Sequence, residues 1–198
     1  EEISRIVETG DLISFDSGFT KLLNGRISAG GLDNKLGVYC ALKSLEKINR
    51  EDAEIVVAAT CGEEINLNGA RIAGNLSEFD LCIVIDVTHG TTPDSKEELT
   101  FELGKGPSVA LGPGLSKKHN DGIISYAKQH NIPFSYEVTS GRTGTNANAY
   151  NINAAGMDCV ILSLPLKYMH TACEVADMKD ADAIIELVSG FVNEYGEI

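Results

Sequence analysis

Tryptophan is absent from this 198-residue chain, and basic residues are scarce: 16 lysines and arginines stand against 29 aspartates and glutamates, a net charge of −13. Without Trp, a frequent stacking platform for sugar rings is missing. Without a Lys/Arg cluster, the chain has no surface suited to nucleic acid, because phosphate neutralisation needs grouped cations. The same lack argues against a polybasic membrane patch. No apolar run approaches the length of a membrane span, and the opening residues show no basic-plus-apolar leader pattern. The chain starts Glu1-Glu2-Ile3 with no Met, as an excerpt or a processed product of something longer would.

Cysteine is also sparse. The five residues, Cys40, Cys61, Cys82, Cys159 and Cys173, are odd in number and scattered, with no CxxC pair. That pattern excludes a disulfide framework and reads as reduced thiols in a cytoplasmic protein. Cys82 and Cys159 fall in apolar, strand-like runs and read as core thiols. Cys61 and Cys173 lie beside acidic stretches discussed below, and His170 near Cys173 is the one thiol–imidazole pairing of note.

What remains is an ordinary globular composition, 43% hydrophobic and 23% charged, long enough for one domain with a sizeable core. Residues 1–198 are therefore expected to form a single domain. Ile3–Val7 and Leu12–Phe15 read as short strands about the turn Thr9-Gly10-Asp11. Leu36, Tyr39, Leu42, Leu45 and Ile48 suggest the inner face of a helix opened by Asp33. Ile55–Ala59, Leu81–Ile85 and Met157–Leu162 read as buried strands, the second of them central in its sheet. Asn66–Ala73 should be helical, closing near Gly74. Thr100–Leu103, Ser108–Leu111 and Phe134–Val138 look like further strands. One helix is expected from Asn120 or Asp121 to Gln129, and another from Asp180, with Ala181, Ile184, Ile185, Val188, Phe191 and Val192 inward. Strands alternating with helices predict a three-layer α/β/α sandwich about a mainly parallel, mixed sheet.

Several chemical residues share a placement in this pattern. Glu63 and Glu64 follow the Ile55–Ala59 run; two adjacent carboxylates repel and suit a cation, although a solvated acidic turn explains them as well. Asp33 either caps a helix or aims a carboxylate at a metal. Asp86 sits at the tip of the Leu81–Ile85 run. His170 follows the Met157–Leu162 run by a short Pro-containing link, where a lone His is more often structural. His119 and His130 read as surface residues. Carboxylates with one imidazole form a donor set of the zinc type. Two such sites sharing an Asp would hold metals about 3.5–4 Å apart, as in two-metal hydrolases.

Five ordered stretches carry a resemblance. They are Gly31-Leu32-Asp33-Asn34-Lys35-Leu36-Gly37, Cys61-Gly62-Glu63-Glu64-Ile65-Asn66-Leu67-Asn68-Gly69-Ala70, Ile85-Asp86-Val87-Thr88-His89, Thr143-Gly144-Thr145-Asn146-Ala147 and Pro165-Leu166-Lys167-Tyr168-Met169-His170. In order and rough spacing the chain resembles the M42 family of dinuclear metallo-aminopeptidases (glutamyl, deblocking and tetrahedral aminopeptidases, once also labelled endoglucanases). The resemblance implies a zinc-peptidase (phosphorylase/hydrolase-like) fold and release of N-terminal residues from short peptides. It implies two divalent ions, zinc or cobalt, or one only in this chain. It assigns Asp33 as the bridging ligand, Glu64 and His170 to one ion, Asp86 to the other, and Glu63 as general base toward the metal-bound water.

Three departures follow. The family's His-x-Asp ligand motif and its inserted, assembly-driving domain lie upstream of the matched stretches, so residues 1–27 read as the return from that domain. Asn146 stands where the family has Asp, and Thr92 where many relatives carry another. An alternative is therefore a truncated or degenerate relative that binds one metal or peptide without catalysis. The endoglucanase label is the weaker guide, since glycosidases work with two carboxylates and no metal requirement.

Overall fold

A computed structural model describes residues 3–76, 78–153 and 156–196. A mixed four-stranded sheet organises the fold. Its strands are β3 (Cys82–His89), β4 (Ser108–Leu111), β5 (Ser135–Val138) and β6 (Cys159–Leu166), in the order β3-β6-β4-β5. The pairs β3/β6 and β4/β5 are parallel and β4/β6 is antiparallel. β6 is buried along its whole length, and its alternating side chains feed two separate cores. Val160, Leu162, Leu164 and Leu166 face one side with α1 (Leu32–Leu45), α4 (Lys117–Gln129) and α6 (Met178–Asn193). Cys159 and Ile161 face the other with Ala70 of α3 (Asn68–Ala73) and Ala147, Ala149 and Tyr150 at α5 (Ala147–Tyr150). The period-2 alternation of a strand thus produces the three layers. A second, antiparallel sheet joins β1 (Thr20–Lys21), β2 (Arg26–Ala29) and β7 (Glu174–Asp177).

Several local expectations are corrected. Ile55–Ala59 forms no strand, with no ladder partner beside it among the described residues, and Val56 is 55% exposed. β3 is accordingly an edge strand rather than a central one. Ile3–Val7 and Leu12–Phe15 are not strands either: a 3-10 turn covers Ile3–Arg5, and Leu12 and Phe15 project into solvent. Of Thr100–Leu103, only Phe101 forms a bridge, to Gly90. The Asn66–Ala73 helix is split into α2 (Glu63–Asn66) and α3 by Leu67, whose φ of 57° is left-handed.

The inner face of α1 is Leu32, Leu36, Gly37, Cys40 and Ser44, while Tyr39, Leu42 and Leu45 are exposed. A series of steps of three slips about 60° per step around a helix of 3.6 residues per turn, so it cannot stay on one face. Asp177, not Asp180, caps α6, accepting from Lys179 N at 3.1 Å. Asp180 is instead fully buried and accepts from Gly104 N at 2.8 Å and Gly106 N at 2.7 Å. The Pro-containing link before His170 is part of β6. His119, expected at the surface, is buried, with Nδ1 at 2.9 Å from Ser116 Oγ and Nε2 at 2.7 Å from Tyr195 Oη. These contacts tie the start of α4 to the end of α6.

Candidate metal centre

The residues expected to act together come from the start of α1, the start of α2, the second half of β3 and the turn after β6. Asp33 enters at the start of α1. The N-cap there is Gly31, at φ 70°, and Asp33 has extended rather than helical backbone (φ −75°, ψ 108°), so capping is not its role. Its neighbour Asn34 fixes the segment: Asn34 Nδ2 donates to Ile85 O at 2.8 Å, and Asn34 Oδ1 accepts from Gly37 N at 3.1 Å. The start of α1 is thereby bolted to β3 one residue before Asp86. Glu63 and Glu64 open α2 behind Gly62, whose φ of 72° suits glycine. His170 lies in the turn between β6 and β7, itself at φ 62°.

Asp33, Glu64 and His170 each offer a ligand atom, and the three atoms lie within 4.8 Å of one another. His170 Nε2 is 3.1 Å from Asp33 Oδ2 and 3.4 Å from Glu64 Oε1. Asp86 and Glu63 are not in this group, but both are close enough for charge coupling to it. Burial, then the neighbouring Glu64, raises the Asp33 carboxyl above its ordinary value. Burial, then Glu64 and Asp33, does the same to Glu63. Asp86 is 6% exposed, and burial pushes it up to about 7, with Glu63, Asp33 and Glu64 adding to the rise. Four carboxylates crowded against one imidazole hold more negative charge than the fold alone compensates. A divalent cation relieves that crowding, and an oxygen-plus-imidazole donor set is of the kind that binds zinc-type ions. The residues present therefore fit a metal.

One supporting residue was not anticipated. Glu174, 2% exposed, accepts from Asp33 N at 3.2 Å through Oε2 and from His170 N at 2.9 Å through Oε1. A single buried carboxylate thus holds the backbones of two metal-ligand candidates 137 residues apart in sequence. Beside the cluster a cleft is lined by His89, Thr92, Ser95, Thr100, Tyr168 and Met169, and it reaches His170. His89 lies on this wall rather than in the carboxylate group. Asn146 donates to Thr60 Oγ1 at 3.3 Å, while its own Oδ1 is buried without a hydrogen-bond partner. No described helix is long and apolar enough to cross a membrane.

Comparison with known proteins bears on the family and the fold. The sequence model of the M42 glutamyl aminopeptidase family matches residues 1–187. A lysyl aminopeptidase of Pyrococcus furiosus is 34% identical over 185 residues, covering 93% of this chain and 54% of that protein. Among solved structures, an aminopeptidase from the archaeon Desulfurococcus kamchatkensis superposes with a TM-score of 0.88 at 28% identity, over 98% of this chain and 56% of its own. A Pyrococcus horikoshii TET peptidase, described as assembling into a tetrahedron or a large octahedral shell, shares the fold with a TM-score of 0.75 at 24% identity, over 95% of this chain and 56% of its own. The chain spans about half the length of the relatives it matches.

Proposed function

The chain belongs to the M42 glutamyl aminopeptidase family, and from that premise we propose that it is the catalytic-domain portion of a metal-dependent aminopeptidase acting on short peptides. The observation that carries this reading is the convergence of Asp33, Glu64 and His170 within 4.8 Å, with Glu63 and Asp86 charge-coupled to them. Asp33, Glu64 and His170 would hold one divalent ion, and Asp33 with Asp86 would hold a second; zinc or cobalt suits the donors. Such ions supply a water acidified to a pKa of about 7 and a positive field for the developing oxyanion.

The chain's own residues do the rest. Glu63 stands at the start of α2, next in sequence to Glu64 and within charge-interaction range of Asp33 and His170. Its raised proton affinity suits a group that accepts a proton from the attacking water and returns it to the leaving amine. Glu174 holds the backbones from which Asp33 and His170 project. The adjoining cleft, with the hydroxyls of Thr92, Ser95 and Thr100 and the apolar Met169, is of a kind to receive a substrate side chain.

Residues 1–198 are read as one catalytic-type domain, with residues 1–27 returning from an inserted domain; the weak burial of residues 3–25 supports this. Five free cysteines support a reducing, cytoplasmic setting. Assembly into larger particles, described for the TET relative, is proposed for a longer protein containing this chain. A non-catalytic relative holding a single ion is the second reading, favoured by Asp86 lying outside the three-residue group and by Asn146. Incubation with short peptides and zinc, cobalt or manganese decides between them. Release of N-terminal residues, stopped by a chelator and slowed roughly 10²–10⁴-fold in Glu63→Gln, is the enzyme result. Metal binding with no release, and no effect of Glu63→Gln, is the other.

A further inference from the structure

Cys82 and Cys159 are the first residues of β3 and β6, and they are direct register partners in that parallel ladder. Both face the smaller core, against Ala70, Ile161 and Tyr150. Neighbouring strands are about 4.7–4.9 Å apart and registered side chains share a face, which falls inside the window of roughly 4.4–6.8 Å between Cα atoms that a disulfide needs. The register therefore sets the two thiols side by side on one face of the sheet. The Cys159 S–H donates to Met157 O at 3.3 Å. Cys159 is 1% exposed, whereas Cys82 is only half-buried. We propose that Cys82 and Cys159 form a redox-active dithiol, a modification site at the end of the sheet opposite the carboxylate cluster, which a peroxide converts to a disulfide joining β3 to β6.

The chemistry needs two electrons, and the peroxide takes them. One sulfur attacks the O–O bond, forming a sulfenic acid and releasing the first water. The neighbouring thiol then attacks the sulfenic sulfur; the S–S bond forms, the S–O bond breaks, and a second water leaves with the remaining thiol proton. The pairing of the two residues across the ladder favours this second step, because the resolving thiol is already alongside. The other cysteines lack this arrangement. Cys40 is fully buried, its thiol pushed up to about 12 by burial, and Cys61 and Cys173 are exposed and lie outside the sheet ladder.

The test is limited hydrogen peroxide treatment of the whole chain, alkylation of remaining thiols, and non-reducing peptide mapping by mass spectrometry. The expected product is a linked pair of peptides carrying Cys82 and Cys159, reversed by dithiothreitol. In Cys82→Ser the link vanishes and Cys159 is trapped as a sulfenic acid by dimedone. Phenylarsine oxide, which bridges adjacent thiols, gives a second reading on the unmutated protein: its adduct should map to the same two peptides. The proposal is overturned if both cysteines stay alkylatable while Cys61 or Cys173 oxidises, or if the arsenical bridges neither.

Discussion

Replacing Glu174 by Gln probes how the cluster is held. Its carboxylate accepts two backbone N–H groups, from Asp33 at 3.2 Å and His170 at 2.9 Å, with 2% of the residue exposed. An amide keeps one acceptor oxygen and turns an NH₂ donor toward the other N–H. One charge-assisted bond is weakened to a neutral one and the second becomes a donor facing a donor. Charge-assisted bonds contribute about 1.5–3 kcal/mol and a stranded buried donor costs about 1–3 kcal/mol. The sum of effects is roughly 3 kcal/mol, or a fall in melting temperature of about 6–12 °C for a chain of this size. Because the two freed backbones carry Asp33 and His170, zinc affinity should fall as well, by about 10–100-fold as for other outer partners of metal ligands. Thermal denaturation and zinc titration of Glu174→Gln measure the two effects separately. An unchanged melting temperature with unchanged zinc affinity refutes the assigned role, and lost stability with full zinc affinity confines Glu174 to folding.

Two further predictions concern the fold. Burial pushes the Asp180 carboxyl up to about 6, with Asp177 adding to the rise and the Gly104 and Gly106 N–H groups and Arg26 opposing it. A raised folded value means that stability is fully present below the unfolded value near 3.9 and is lost as pH rises through about 6, by at most about 3 kcal/mol. Metal-free protein should therefore lose stability in denaturant between pH 4 and pH 7, and Asp180→Asn should flatten that slope; identical slopes in the two proteins contradict it. Leu162 is fully buried at the centre of β6 while Leu12 is fully exposed. Leu162→Ala should cost about 2–5 kcal/mol and Leu12→Ala within about 0.5 kcal/mol, as read from urea midpoints; equal costs would show that the core is misplaced.

The parts of the fold that were legible in sequence are those where burial is continuous. Leu81–Ile85 and Met157–Leu162 became β3 and β6 because a strand covered on both faces needs an unbroken apolar run. Ile55–Ala59 has the same composition, but a strand also needs a neighbour to pair with, and the described residues supply none. On α1, spacing identified the helix and missed its face, because which stripe turns inward depends on where β3 and α6 lie.

The site divides in the same way. Asp33, Glu64 and His170 were legible because their residue types and motif order point to a metal, and the fold brings them together. Asp86 was legible as a carboxylate closing an apolar run, although β3 continues past it to His89 and it stands outside that group. Glu174 was not legible. It is a single Glu four residues beyond His170, and its partners are backbone N–H groups that only tertiary structure delivers. Asp180 was misread for the mirror reason: an acidic residue near a helix start is ordinarily a cap, and here the cap is Asp177, three residues earlier.

The most direct measurement is zinc content per chain after dialysis against limiting metal, on the unaltered protein and on Asp33→Ala and His170→Ala. If these side chains form a metal centre, the unaltered chain retains one or two zinc ions and each substitution removes at least one. A chain that retains none, or zinc that persists in both variants, would contradict the assignment.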